Sequence, residues 1–299
     1  MGDKKVLILK DLSFYLPKEV LEIYRRKGLY FIPTSKNISF IFRVIRKFLN
    51  KINIYPSILN GNWVKLIHEF DKIILFDNAS SKDPVAKYIN NRIKEDVSLY
   101  YYYWNPIFVA NSTEYIKQYA SKFKLYSFDE RDVLKYNIEY NTTIYSKYII
   151  LKNCELEYDI YFVGKEKGRF KIIKELEDIF NAYDLKFYNY IITKENNLPR
   201  VSAEDNLNNI SKSKAILDIL QEGQSGLTLR VLESIFLKKK LISNNLALKE
   251  YKFYNPNNIF IIGYDDYKDL NEFISSPYVD ISQEIVYYYD IEEWIMRFK

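Results

Sequence analysis

Short apolar runs alternate along this chain with stretches in which apolar positions recur every three or four residues. "KKVLILK" at 4–10 and "DKIILFD" at 71–77 are continuous hydrophobic runs of strand length, as expected for strands covered on both faces. "SLYYYYWNP" at 98–106 predicts a further strand, stopped by Asn105-Pro106, and "KLYSF" at 124–128 a short one. Between them lie helical patterns. "LPKEVLEIYRRKG" has Pro17 near its start and Gly28 just past its end, and "PVAKYINNRIK", "TEYIKQYASKF" and the capped "DERDVLKY" follow. The rhythm then restarts. "YDIYFVG", "LKFYNYIIT", "AILDIL" and "NIFIIGYDD" predict strands; "GRFKIIKELEDIFNAYD", the helix opening at Leu227 and the tail "QEIVYYYDIEEWIMRF" predict helices. Strands alternating with helices imply doubly wound parallel sheets. Two successive units joined between 145 and 157 imply two Rossmann-like halves facing a cleft, divided as 1–150 and 151–299.

Length agrees with that division, since 299 residues exceed a usual single domain of roughly 150. A hydrophobic content of 48% with 17% aromatic residues points to packed globular domains and away from disorder. The single cysteine, Cys154, has no partner for an internal disulfide and fits a reducing compartment. The apolar run near the N-terminus is too short for a signal peptide, and no stretch reaches membrane-spanning length. The expected location is therefore cytoplasmic, or peripheral at the inner face of a membrane.

Charge changes the picture in one region. The net charge of +5 says little, but nine Lys or Arg residues and no Asp or Glu lie between Tyr24 and His68. Within it, "SFIFRVIRKFLNKI" separates Phe40, Ile41, Val44, Ile45, Phe48 and Ile52 from Arg43, Arg46, Lys47 and Lys51 on a helical wheel. Two readings stand side by side: a packed helix with a solvated basic face, or a surface toward anionic lipid or a phosphate-bearing acceptor. No nucleic-acid-binding module accompanies the patch, so nucleic acid is not the expected partner.

Candidate chemistry gathers at strand ends in the second half. "VGKEKGRFKIIKEL" runs strand, Gly164, basic loop, Gly168-Arg169, helix, and a helix N-terminus beside Lys165 and Arg169 favours a phosphate. It lacks the G-x-G-x-x-G spacing of dinucleotide dehydrogenases. "QEGQSGLTLRVLE" at 221–233 places Gly223 and Gly226 between a strand and a helix, where backbone N–H groups approach an anion and Gln224, Ser225 and Thr228 add donors. Glu233 can reach sugar hydroxyls, or pair with Arg230 three residues earlier on the helix surface. The chain contains no D-x-D sequence to hold a metal on a diphosphate.

The stretch "ISKSKAILDILQEGQSGLTLRVLESIFLKKKLISNN" resembles the C-terminal half of bacterial glycosyltransferases that build lipopolysaccharide and capsular polysaccharide. "YDIYFVGKEKGRF", "YYYWNPI", "YSFDERDVLKYNIEYNTTIY" and "YNPNNIFIIGYDD" match in the same order. The resemblance implies a GT-B fold whose C-terminal helix can cross back to the N-terminal domain. It implies a nucleotide-diphosphate sugar, UDP-linked first among candidates, as donor substrate, with no metal or other cofactor. Gly164, Lys165 and Arg169 would then face the diphosphate, Gln224, Ser225, Gly226, Thr228 and Arg230 would line phosphate and sugar, and Glu233 would hold the ribose. Many such enzymes carry two glutamates seven residues apart; here Ser225 stands at the earlier position, and Glu222 stands where close relatives have proline.

On the acceptor side the expected partner is a glycan or lipid-linked glycan, deprotonated by a general base near the cleft. Asp77, at a strand's carboxyl end, leads; Asp11 follows; Asp129 reads better as a helix cap. Trp104 and Asn105 could stack on and hydrogen-bond a sugar, or Trp104 could be core. The alternative to a transferase is a non-catalytic protein that binds nucleotide-sugar or phosphoglycan.

Overall fold

The computed structural model describes residues 5–10, 15–78, 80–110, 112–193, 195–196, 198–221 and 226–299. The chain forms two compact units, one of residues 1–141 with Phe298, the other of 142–297 with Lys299. Each is an α/β unit built on one parallel sheet, as the alternation of strand and helix patterns requires.

The first sheet has six strands: β1 (Val6–Lys10), β2 (Leu29–Pro33), β3 (Lys72–Phe76), β4 (Ser98–Tyr103), β5 (Phe123–Ser127) and β6 (Glu139–Tyr140). Their order is β2-β1-β3-β4-β5-β6, and every pair is parallel. The tyrosine run of β4 divides by the two-residue period of a strand. Tyr101 and Tyr103 enter the core with Leu7, Leu9, Ile73, Leu75 and Trp63. Tyr100 and Tyr102 face the other side, where Phe298 packs on both and on Tyr126 at centroid distances of 5.1, 6.3 and 4.6 Å. Phe298 thereby covers these three tyrosines on that face of the sheet.

The second sheet comprises β7 (Tyr158–Lys165), β8 (Phe187–Ile192), β9 (Ser213–Asp218), β10 (Lys240–Ser243) and β11 (Ile259–Ile261). Its order is β11-β10-β9-β7-β8, again wholly parallel. Ile160, Phe162, Ala215, Leu217 and Ile242 from the strands meet Ile173, Leu176 and Phe180 of the helix Phe170–Ala182 to form its core. The expected terminal helix is two short ones, Gln283–Tyr287 and Ile291–Met296, divided where Asp290 turns its carboxylate onto the Glu292 N–H as an N-cap. Asp129 likewise caps the helix Glu130–Tyr136 by accepting from the Arg131 N–H.

In both sheets the chain starts in the middle and winds outward both ways. The connections reverse direction between β1 and β3 in one unit and between β7 and β9 in the other. At such a switch point the loops leaving adjacent strands part in opposite directions and open a crevice at the carboxyl ends. Among the described residues no helix is long and apolar enough to cross a membrane.

Candidate functional site

At the switch point of the second unit, two arginines lie against the ends of β7 and β9. Arg169 is the N-cap residue of the helix Phe170–Ala182 and is buried. Its guanidinium donates to the carbonyls of Ile219 at 2.7 Å and Lys165 at 2.7 Å, tying together the loops that leave the two strands. Arg230 lies in the first turn of the helix Leu229–Phe236 and donates to the Val163 carbonyl at 2.6 Å. Both guanidiniums sit over the Phe162 ring, at 5.5 and 4.9 Å from its centroid.

Gly164 makes this arrangement possible. A Cβ there would stand 2.8 Å from Arg230 Nη2 and 3.3 Å from both Arg169 Nη2 and Phe162 Cζ. The glycine therefore clears space for two side chains of this protein. The left-handed turn of this loop falls at Lys167 and Gly168, whose φ values are +45° and +77°.

One buried carboxylate answers the two arginines. Asp218, at the end of β9, is fully buried and lies 3.8 Å from Arg230 Nη1. It accepts hydrogen bonds from Thr228 Oγ1 at 2.9 Å and Ser243 Oγ at 3.2 Å. Thr228 in turn caps the helix Leu229–Phe236 by accepting from the Val231 N–H. Burial pushes the Asp218 carboxyl up, against the opposing pull of Arg230 and the two hydroxyls. Burial, and then the neighbouring charge of Arg230, push Arg169 down to about 10. Lys167 is lowered too, by burial and then by Arg169, Lys165 and Arg230. A cluster in which cations depress one another has a surplus of positive charge, and a bound anion relieves it.

Glu233 lies one turn further along the same helix and is buried. It accepts from Asn206 Nδ2 at 2.8 Å, and Asn206 Oδ1 accepts from the Tyr161 hydroxyl at 3.0 Å. Burial raises its carboxyl to about 7, opposed by Arg230 and Asn206 and reinforced by Asp218. The surface pairing of Glu233 with Arg230 envisaged above is not how these residues are used. Arg230 turns to Asp218 and Val163, while Glu233 turns to Asn206.

Of the expected donor residues, the fold thus gathers Gly164, Lys165, Arg169, Thr228, Arg230 and Glu233 around the ends of β7 and β9. Gly226 is buried ahead of the helix, and Gln224 and Ser225 lie outside the described residues. Phe162, Asp218, Asn206 and Tyr161 are additions. A lone carboxylate inside the apolar run "AILDIL" was the signal for Asp218, because a buried charge requires partners. Nothing local marks Asn206, which comes from the helix Ala203–Ser211.

In the first unit, Asp77, Trp104 and Asn105 meet just past the carboxyl ends of the adjacent strands β3 and β4. Asp77 is buried, and its carboxylate accepts from the backbone N–H groups of Trp104 and Asn105 and from Asn105 Nδ2 at 3.0 Å. It shapes the turn that carries both residues. Trp104 is half-buried and stacks on Tyr15 at 5.9 Å and packs against Phe76 at 5.6 Å. Asp11 lies outside the described residues. Among those described, no group of three or more His, Cys, Asp or Glu side chains is placed to hold a metal ion.

No protein-family model matches the chain, and no curated protein matches it. Among solved structures it is similar to the crystal structure of accessory secretory proteins 1, 2 and 3 of Streptococcus pneumoniae, with a TM-score of 0.40 and 11% sequence identity. That match covers 87% of this chain and 54% of the other, so this chain spans about half the length of the protein it is compared with. A likeness at that level adds nothing to the chemistry of the site.

Proposed function

We propose that this protein is a GT-B glycosyltransferase that binds a nucleotide-diphosphate sugar on its second unit and moves the sugar to a surface-polysaccharide or lipid-linked glycan. The observation that supports this reading is the cluster of cationic side chains at the switch point of the second sheet. The buried guanidinium of Arg169 and the half-buried one of Arg230, which pairs with the buried Asp218, lie there beside the exposed Lys165 and the first turns of two helices. A diphosphate would neutralise the surplus charge. Helix N-termini and fixed guanidiniums are also groups that stabilise a departing nucleoside diphosphate as its negative charge develops.

In this reading Glu233, held by Asn206 and half-protonated near neutrality, meets the hydroxyl groups of the nucleotide. On the acceptor side Asp77 organises Trp104 and Asn105, and Asp77 or Asp11 takes the acceptor proton. The two parallel α/β sheets are the architecture such a transferase needs, but a fold of this kind hosts many activities. The site, not the sheet, therefore carries the proposal.

A thermal-shift screen against UDP-, GDP-, ADP-, dTDP- and CMP-sugars tests it. A ligand at a hundredfold excess over its Kd stabilises the native state by about 2.7 kcal/mol, a readily measured shift. Lys165 is exposed, so the K165E variant should melt as wild type without ligand and lose most of the ligand-induced shift. A full shift in K165E and in Arg169→Ala would mean that the donor binds elsewhere. Binding without hydrolysis or transfer to any glycan would leave a nucleotide-sugar-binding protein.

A further inference from the structure

The helix Phe40–Lys51 is mounted the opposite way round from an ordinary amphipathic helix. None of its residues is buried. It is tied to the rest of the first unit by polar contacts, with Leu49 half-buried: Arg46 donates to the carbonyls of Lys36 at 2.7 Å and Leu59 at 3.3 Å, and the side-chain amides of Asn50 and Asn60 meet at 2.9 Å. The apolar sector faces solvent. Phe40 is 70% exposed, Ile41 68% and Phe48 64%, with Val44 and Ile45 exposed between them and Ile52, Ile54 and Ile58 extending the patch.

Contiguous exposure of this many large apolar side chains marks a docking surface. Its charge says for what. Arg43, Lys47 and Lys51 recur every four residues and form one row along the edge of the apolar sector. No acidic residue occurs between Tyr24 and His68. A second copy of this chain would bring the same basic row against itself. An anionic bilayer offers what this face lacks: hydrocarbon for the Phe and Ile side chains, and phosphates at the depth of the lysines. The helix is about 18 Å long at 1.5 Å per residue, a length suited to lying in the interface and not to crossing it.

We infer that the helix Phe40–Lys51, with Ile52, Ile54 and Ile58, is a docking surface for an anionic phospholipid bilayer, entered side-on by its apolar face. The inference is independent of the reaction proposed above, because lipid binding is measured without any nucleotide or glycan.

The test is flotation of the full chain with phosphatidylcholine vesicles prepared with and without phosphatidylglycerol. Binding is expected only to the anionic vesicles and should weaken as salt is raised. The F40S/F48S variant removes two exposed rings, so its melting temperature should match wild type while vesicle affinity falls about tenfold or more. The K47E/K51E variant should lose the preference for phosphatidylglycerol. Absence of binding to anionic vesicles, or binding unchanged in both variants, overturns the inference. So does a wild-type dimer that F40S/F48S converts to monomer in light scattering with no lipid bound, which would make a second copy the occupant.

Discussion

Replacing Glu233 by Gln tests the electrostatics of the second unit most directly. Burial places the Glu233 carboxyl at about 7 against an ordinary 4.5. The native protein therefore keeps a proton that the unfolded chain releases. The associated stability is fully present below about pH 4.5 and is lost as pH rises through about 7. At about 1.4 kcal/mol per pH unit, the interval between 4.5 and about 7 corresponds to about 3 kcal/mol. Gln keeps the acceptor that Asn206 uses and never ionises. E233Q should therefore match wild type near pH 4.5 and exceed it by up to about 3 kcal/mol at pH 8 and above. Urea unfolding followed by circular dichroism across this range measures the difference. Hydrogen exchange in strand β9 reads the opening of the second unit separately, since two units need not unfold together. A difference that stays flat with pH would show Glu233 to be an ordinary carboxylate. A difference of opposite sign would show that attraction to Arg230 outweighs burial.

Two further outcomes follow from the same geometry. G164A should push the Arg230 guanidinium away from the end of β7, destabilising the fold by about 1–3 kcal/mol; UDP-induced thermal stabilisation should shrink with it, and wild-type ligand response would refute the clearance role of the glycine. D77A removes the acceptor for three donors of Trp104 and Asn105 and should destabilise the first unit by about 2–3 kcal/mol in urea titrations, whereas unchanged stability would show that the turn holds itself.

Much of the architecture is legible along the chain because strands buried on both faces must be apolar throughout. "VLILK", "KIILF" and "SKAILD" became β1, β3 and β9 for that reason. Strand β2, "LYFIP", escapes such reading because it is only half-buried and ends in proline, a pattern suited to an edge strand. Strand β10, "KLIS", is short and begins and ends on polar residues. Its Lys240 is nevertheless buried, satisfied by the Asn257 carbonyl and the Ser276 hydroxyl, partners that only the fold supplies.

The candidate site divides in the same way. Basic residues and glycines beside strand ends are visible locally, so Gly164, Lys165, Arg169 and Arg230 can be named from the sequence. Their relationship cannot be. Phe162 and Arg230 lie far apart in the chain, and the β7–β9 pairing is what puts a guanidinium over that ring. Only then does Gly164 become a clearance for arginines and Asp218 the shared counter-charge.

The helix at 40–51 draws the line most clearly. Its sequence alone determined that it is a helix with one apolar and one basic sector, because side-chain spacing at 3.6 residues per turn depends on nothing else. Which sector would be buried was a tertiary decision. Acceptors at Lys36, Leu59 and Asn60 hold Arg46 and Asn50, and the apolar side is left facing outward. A periodic pattern separates two faces, but the surface that a helix lands on chooses between them.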